Sequence, residues 1–295
     1  MAVRKILIGV APVGNDVPDG VRNPLTPEQV AETTVACAAA GAGMVHLHVR
    51  DTAGLQTADT AVYSGTLDLI RAHTDIIIQG STGGVSDLSL EDRCTALNDP
   101  KTEVASLNMG SANFDESVYI NTLPDIRYWA GRMRETGTVP ELEIFEAGMV
   151  NNVRILQKEG AVPEPSYYAF ALGFRGALPA TADTLHFLKN TVPAGAPWGL
   201  IQHGMQDMSL LATAIGMGAT FVRVGFEDSA YWASGQTAES NAGLVDKLAG
   251  LIHSIGQEIA TPSEARKMLG INPLRPWTTT GIALKRKTNR ACQTP

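Results

Sequence analysis

The chain has too few cysteines to be held together by them. Three in 295 residues, Cys37, Cys94 and Cys292, stand too far apart for a CxxC metal or redox motif, and an odd number argues against a disulfide framework. A reducing, cytoplasmic setting is expected. Positive charge is also scarce: 23 Lys and Arg against 30 Asp and Glu leave a net charge of −7, and only Lys285, Arg286, Lys287 and Arg290 stand close together. Such a surface offers a phosphate backbone little to bind, which argues against nucleic acid as a partner. The short basic cluster reads as a solvated tail. Long apolar runs are missing as well. MAVRKILIGVAP begins like a signal peptide, but Pro12 and Asp16 interrupt it, and no stretch reaches the roughly 18 residues that a membrane span needs.

What is present is ample core material, 44% hydrophobic against 18% charged residues, arranged in a regular alternation. Short β-branched runs bounded by Gly, Pro or Asp alternate with stretches of helical period, the pattern of βαβ units and a parallel sheet. Eight runs qualify as strands: KILIGVAP from Lys5, MVHLHV from Met44, DIIIQGS from Asp75, VASLNMG from Val104, ELEIFEA from Glu141, YYAFALG from Tyr167, PWGLIQHG from Pro197 and FVRVGFED from Phe221. Eight strands and this length fit one (β/α)8 barrel domain over 1–295, with a short helix and an irregular tail from about Thr261. An open doubly wound sheet shares the pattern, since alternation alone does not show closure. Helices are expected from an N-cap at Thr26 with Pro27 at the first helical position to a C-cap at Gly41. Others are expected over Ser89–Leu97, Met149–Glu159, Thr181–Thr191, Asp207–Met217 and Glu239–Ile255.

Charge inside a strand is the informative exception. In the second strand Val45, Leu47 and Val49 point one way, while His46 and His48 share the opposite, inward face. Two imidazoles at i and i+2 converge on one point, as a metal requires. In the last strand Arg223, Gly225 and Glu227 alternate inward with Asp228 at the lip, and that much buried charge is costly unless paired or ligating an ion. Two neutral histidines and one carboxylate, His46, His48 and Glu227, leave open positions on a metal, the mark of a catalytic site. Zinc is expected first, with iron, manganese or cobalt as alternatives. Asp228 held by Arg223 is the candidate base.

The fifth strand turns Glu141 and Glu143 inward, Glu141 as a structural partner for Arg223 and Glu143, nearer the rim, for chemistry. The third strand closes on Ser81, Thr82, Gly83 and Gly84, whose small side chains and free backbone N–H groups suit a carboxylate or carbonyl oxygen. Asn108 on the fourth strand is placed for substrate contact. His203 at the end of the seventh reads equally as a substrate contact or an ordinary rim histidine. Metal-assisted chemistry beside a carbonyl follows from these groups.

HLHVRD at His46–Asp51, STGG at Ser81–Gly84, ASLNMGSANF at Ala105–Phe114, PELEIFE at Pro140–Glu146 and VRVGFED at Val222–Asp228 occur in order along nearly the whole chain. Together they resemble the β-keto acid cleavage enzymes, zinc-dependent (β/α)8 barrels. The resemblance implies a reaction of a β-keto acid with acetyl-CoA that gives acetoacetate and a new CoA thioester, and a homotetramer. It implies zinc on His46, His48 and Glu227, Arg223 and Asp228 as the pair that starts the reaction with Glu143 assisting, Ser81 on the keto acid's carboxylate and Asn108 on substrate. Family members acting on an amino-substituted keto acid carry an acidic residue after the first strand. This chain reads APVGND there, with Asn15 and Asp16 nearest.

Three rivals are weaker. An amidohydrolase would place its HxH on the first strand, with further histidines on the fifth and sixth; here the fifth has only carboxylates and the sixth none. A hydroxymethylglutaryl-CoA-type lyase places its HxH late in the chain. A non-catalytic barrel that binds a keto acid has no use for a base beside the metal.

Overall fold

The computed structural model describes residues 3–15, 17–83, 88–164 and 166–271. The eight parallel strands of its barrel are β1 (Lys5–Val10), β2 (Met44–Leu47), β3 (Ile77–Gly80), β4 (Val104–Asn108), β5 (Val139–Ile144), β6 (Tyr167–Leu172), β7 (Trp198–Gln202) and β8 (Phe221–Val224), and a short strand, Glu258–Ile259, adds to β1 outside it. Each pairs with the next, and β8 returns to β1 with Leu7 opposite Phe221 and Gly9 opposite Arg223. The sheet is therefore a closed barrel, which decides between the two architectures that the alternation allows. Cys37 and Cys94 are buried and unpaired.

Helices α1 (Pro27–Ala39), α2 (Ala61–Arg71), α3 (Leu123–Thr136), α4 (Ala147–Lys158), α5 (Ala182–Thr191), α6 (Ser209–Gly216), α7 (Asn241–Ser254) and α8 (Pro262–Leu269) accompany the strands. At α1 the expected start is observed in full: Thr26 accepts from the Gln29 backbone, Gln29 reaches back to the cap, and Pro27 opens the first turn. The same box, Thr261 with Glu264 and Pro262, starts α8, and Gly270 ends it in the left-handed region.

Three expectations need correction. The helix expected over Ser89–Leu97 is a 3₁₀ stretch, Asp92–Asn98, kinked at Cys94. Helices α2 and α3 have no counterpart among the expected helices, and two rim hairpins are likewise unforeseen, Ala112–Phe114 with Ser117–Tyr119 and Tyr231–Ala233 with Gln236–Thr237. The eighth strand stops at Val224, so Gly225 and Glu227 do not continue its alternation. Gly225 has φ +137°, and a Cβ there would lie 2.2 Å from the Ala11 carbonyl oxygen. The chain turns over the end of β1, with Glu227 N–H donating to Ala11 O and Asp228 N–H to Gly225 O.

The register divides the barrel interior in two. Toward the N-terminal ends of the strands the inward positions are apolar, among them Leu7, Met44, Ile77, Val104 and Phe221. Phe221 fills space that Gly9 and Gly199 leave open, because a Cβ on either would fall 2.6 Å or 2.4 Å from its ring. Toward the C-terminal ends the same face becomes polar: His46, Gln79, Ser106, Asn108, Glu141, Glu143 and Arg223 are all buried. A buried polar layer of this kind is expensive unless each group finds a partner, and it lies where barrel enzymes carry their sites.

Candidate metal centre and active site

His46 sits on β2 and His48 one residue past its end, so the alternation expected of the strand still places them on one side. Their rings lie edge to face, with centroids 5.2 Å apart. The turn at Gly225 brings Glu227 against both. Its Oε1 is 3.6 Å from His46 Nε2 and its Oε2 is 3.6 Å from His48 Nε2. One ligand atom from each of the three residues falls within 4.8 Å of the others.

The protonation states suit a cation. Burial pushes the His46 imidazole down to about 3, keeping it neutral near pH 7. Burial works to raise Glu227, but His46, His48 and Arg223 outweigh it and hold the carboxyl below the usual carboxylate range. His46 Nδ1 lies 2.9 Å from Gln79 Oε1 and His48 Nδ1 lies 3.2 Å from the Gln56 amide. Ligand histidines are usually fixed by an acceptor at the far nitrogen, as His46 is by Gln79 Oε1; at His48 the facing atom is the Gln56 amide nitrogen, a donor. Two imidazoles and one carboxylate, converging with no fourth protein ligand among the described residues, fit a catalytic divalent ion.

Beside this trio stands a buried ion pair of Arg223 and Asp228. Arg223 Nε donates to Asp228 Oδ2 at 2.8 Å, and its Nη2 donates to Asp228 Oδ1 at 2.6 Å and to Glu227 Oε1 at 3.3 Å. Burial raises the Asp228 carboxyl above the ordinary range, with Arg223 opposing the shift. The result is a stronger base than a solvated aspartate. Glu143 is pushed up to about 8 by burial and then by Glu141, against the pull of Arg223. Glu141, with no exposed surface, is pushed up to about 7 by burial. Two such neighbours do not ionise independently.

The Ser81–Gly84 turn differs from expectation. Its described N–H groups are occupied: Ser81 donates to Leu47 O, Thr82 to Ser106 Oγ and Gly83 to Ser81 Oγ. The Thr82 hydroxyl is spent on the Ser106 carbonyl. What the turn presents is therefore the Ser81 hydroxyl rather than free backbone donors. Gly84 and Asp16 lie outside the described residues, and Asn15 is exposed. Asn108 accepts from Gly110 N–H through Oδ1, while its buried Nδ2 has no partner among the described residues.

Several contributors escape sequence reasoning. Gln79 and Gln56 are seen only once the strand register is known. Arg93 donates to Thr82 O, Ile120 O and Asn121 Oδ1 and stacks over Trp129, locking the Ser81 turn to the hairpin after β4. His203, which the sequence singles out as a substrate contact or a rim histidine, stacks on Phe174 at 4.5 Å with its buried Nδ1 unpartnered among the described residues.

Comparison with known proteins agrees with this geometry. The family model for the beta-keto acid cleavage enzyme matches residues 5–271. A 3-keto-5-aminohexanoate cleavage enzyme of Fusobacterium nucleatum is 34% identical, covering 91% of this chain and 99% of its own. A 3,5-dioxohexanoate:acetyl-CoA acetone transferase of Paraburkholderia graminis is 30% identical, covering 90% and 96%. A 3-oxoadipate:acetyl-CoA acetyltransferase of Cupriavidus necator is 32% identical, covering 84% and 88%. Among solved structures, ObcA in complex with a C4-CoA adduct and oxalate superposes with a TM-score of 0.71 at 20% identity, covering 84% of this chain and 67% of that one, a likeness of fold. On the family match and the full-length relatives, the chain belongs to the β-keto acid cleavage enzyme family.

Proposed function

We propose that this protein is a zinc-dependent enzyme that exchanges acyl groups between a β-keto acid and acetyl-CoA, giving acetoacetate and a new acyl-CoA thioester. The observation that carries the reading is the Arg223 fork, which holds the carboxyl of Asp228 directly beside that of Glu227. The relatives' acetyl-CoA-dependent names support it.

His46, His48 and Glu227 would hold a divalent ion, which would supply a Lewis acid for chemistry at the carbon between the two carbonyls of the substrate. Asp228, oriented by Arg223, takes the proton from that carbon. The carbon attacks the acetyl thioester and a C–C bond forms. Coenzyme A thiolate then attacks the original keto carbon, the older C–C bond breaks, and the proton returns to the carbon. The acetyl group has replaced the acyl group, and no oxidant or reductant is consumed. Ser81, with Thr82 and Gly83 shaping its turn, holds the keto acid's carboxylate. Asn108 Nδ2 donates to substrate, and Glu143 shares the proton.

A homotetramer in the cytoplasm completes the reading; no helix among the described residues is long and apolar enough to cross a membrane. Metal-loaded protein given acetyl-CoA and a panel of β-keto acids is expected to release acetoacetate with at least one of them. Folded, metal-loaded protein that yields none with any would overturn the reading.

A further inference from the structure

Ser81 follows Gly80, which pairs with Leu47, so it stands across from His48 at the end of β3. Its hydroxyl has one proton to give and two lone pairs to fill. Gly83 N–H donates to Ser81 Oγ at 3.1 Å. That bond fills one lone pair and leaves the hydroxyl proton for a ligand. The Gly83 N–H belongs to the same peptide unit as the Thr82 carbonyl. A peptide unit is planar and almost always trans, so the direction of its carbonyl fixes that of its N–H. Here the carbonyl end is held by a cation, because Arg93 Nε donates to Thr82 O at 3.2 Å. A line of hydrogen bonds therefore runs from Arg93 through the Thr82–Gly83 peptide to the Ser81 hydroxyl.

Arg93 is half-buried on the 3₁₀ stretch and committed at every nitrogen. Nη1 donates to Ile120 O at 2.9 Å and Nη2 to Asn121 Oδ1 at 2.6 Å, while the guanidinium carbon lies 4.1 Å over the Trp129 ring. All three acceptors are neutral oxygens, and a hydrogen bond from a charged donor is about twice as strong as one from a neutral donor. Pulling on the Thr82 oxygen makes the N–H at the other end of the peptide a better donor, and an oxygen that accepts more strongly gives its own proton more readily. Ser81 N–H and Thr82 N–H are anchored separately, on Leu47 O and Ser106 Oγ. The orientation of the 82–83 peptide is thus left to Arg93 and Ser81.

We propose that Arg93 is a positioning residue for the keto acid: acting through the Thr82–Gly83 peptide, it holds the Ser81 hydroxyl as a donor to the substrate's carboxylate. Arg93 itself does not touch substrate. The inference rests on the carboxylate-binding role of Ser81 in the proposed function and not on the acetyl-CoA reaction.

Binding of acetoacetate, itself a β-keto acid, to the metal-loaded full chain tests it by titration calorimetry, with no acetyl-CoA and no turnover. Ser81→Ala is expected to weaken binding about 10-fold or more, the size of a lost hydrogen bond to a charged group, with metal per chain unchanged. Arg93→Gln is expected to weaken it about 5-fold or more. The double variant is expected to bind no more weakly than Ser81→Ala alone, because an effect that travels through Oγ is already lost with it. Arg93→Lys, which keeps a cation but not the Nε–H, weakens binding less and serves in the same cycle where the glutamine variant fails to fold. Losses that multiply in the double variant, or wild-type affinity in the Arg93 variant beside a weakened Ser81→Ala, would overturn the proposal alone. Wild-type affinity in Ser81→Ala, or no binding by the wild type, would overturn the role of Ser81 and the proposal with it. Failure of the acetoacetate release assay leaves this test standing.

Discussion

Arg223 holds Asp228 with two parallel hydrogen bonds, at 2.8 Å and 2.6 Å, and leans on Glu227 at 3.3 Å with the same nitrogen that makes the shorter one. One guanidinium thus fixes the distance between the proposed base and the proposed metal ligand. Removing one partner of a buried ion pair typically costs about 3–5 kcal/mol, because the other charge stays buried. Arg223→Met in the metal-free protein is expected to lose stability of that order in urea denaturation. A loss under about 1 kcal/mol would show that the arginine does not support those carboxylates.

Asp228→Asn keeps the shape and removes the base. General-base removal commonly costs about 10²- to 10⁴-fold, so kcat is expected to fall in that range while bound metal per chain stays at the wild-type value. Unchanged turnover would transfer the role of base to another residue, with Glu143 the next to test.

Glu143 predicts a pH dependence of stability. Its carboxyl is raised from 4.5 to about 8, chiefly by burial, so folding resists ionisation that the unfolded chain accepts freely. The contribution is fully present below pH 4.5 and is lost as pH rises through about 8, falling by about 1.4 kcal/mol for each pH unit between the two values. Glu141 titrates with it, and the loss belongs to the pair. In metal-free protein the urea midpoint of the wild type is expected to drop between about pH 5 and about pH 8.5 relative to that of Glu143→Gln. A constant gap between the two proteins would mean that the fold does not hold Glu143 neutral.

The substrate turn predicts a steric effect. A Cβ on Gly83 would fall 2.0 Å from the Tyr119 hydroxyl and 3.1 Å from the ring carbon that bears it. Gly83→Ala therefore displaces the turn or the hairpin and is expected to raise KM for the keto acid about tenfold or more with metal content intact. Adding Tyr119→Phe relieves the worst contact and recovers most of the loss. Equal KM values in wild type and Gly83→Ala would remove this turn from the substrate site.

The barrel and the convergence of His46 with His48 were legible for a physical reason: a strand's period of two makes HxH point one way, and a charge inside an apolar run has no cheap explanation except a site. Glu227 and Asp228 were harder. Consecutive residues on a strand face opposite sides, and both reach the site only because Gly225 turns the chain at φ +137°. Gln79 in IIIQGS carries no local signal, since its importance comes from the neighbour that the register places beside it. Ser81 and Thr82 follow β3 as the sequence suggests, but their backbone donors are occupied by β2 and β4, which only the folded chain reveals. Helix α3 carries a full start signal, Thr122, Pro124 and Asp125, as clear as that of α1. Helix α2 has no side-chain cap at Thr60 and offers no such mark.

Whether the acetyl group of acetyl-CoA replaces the acyl group of a β-keto acid beside the Asp228–Arg223 pair is decided by isotope. With acetyl-CoA labelled with ¹³C in both acetyl carbons and an unlabelled keto acid, the expected products are acetoacetate labelled only in its methyl and keto carbons and an unlabelled new thioester. Label released as free acetate, or retained in the thioester pool while the keto acid is consumed, would contradict that exchange.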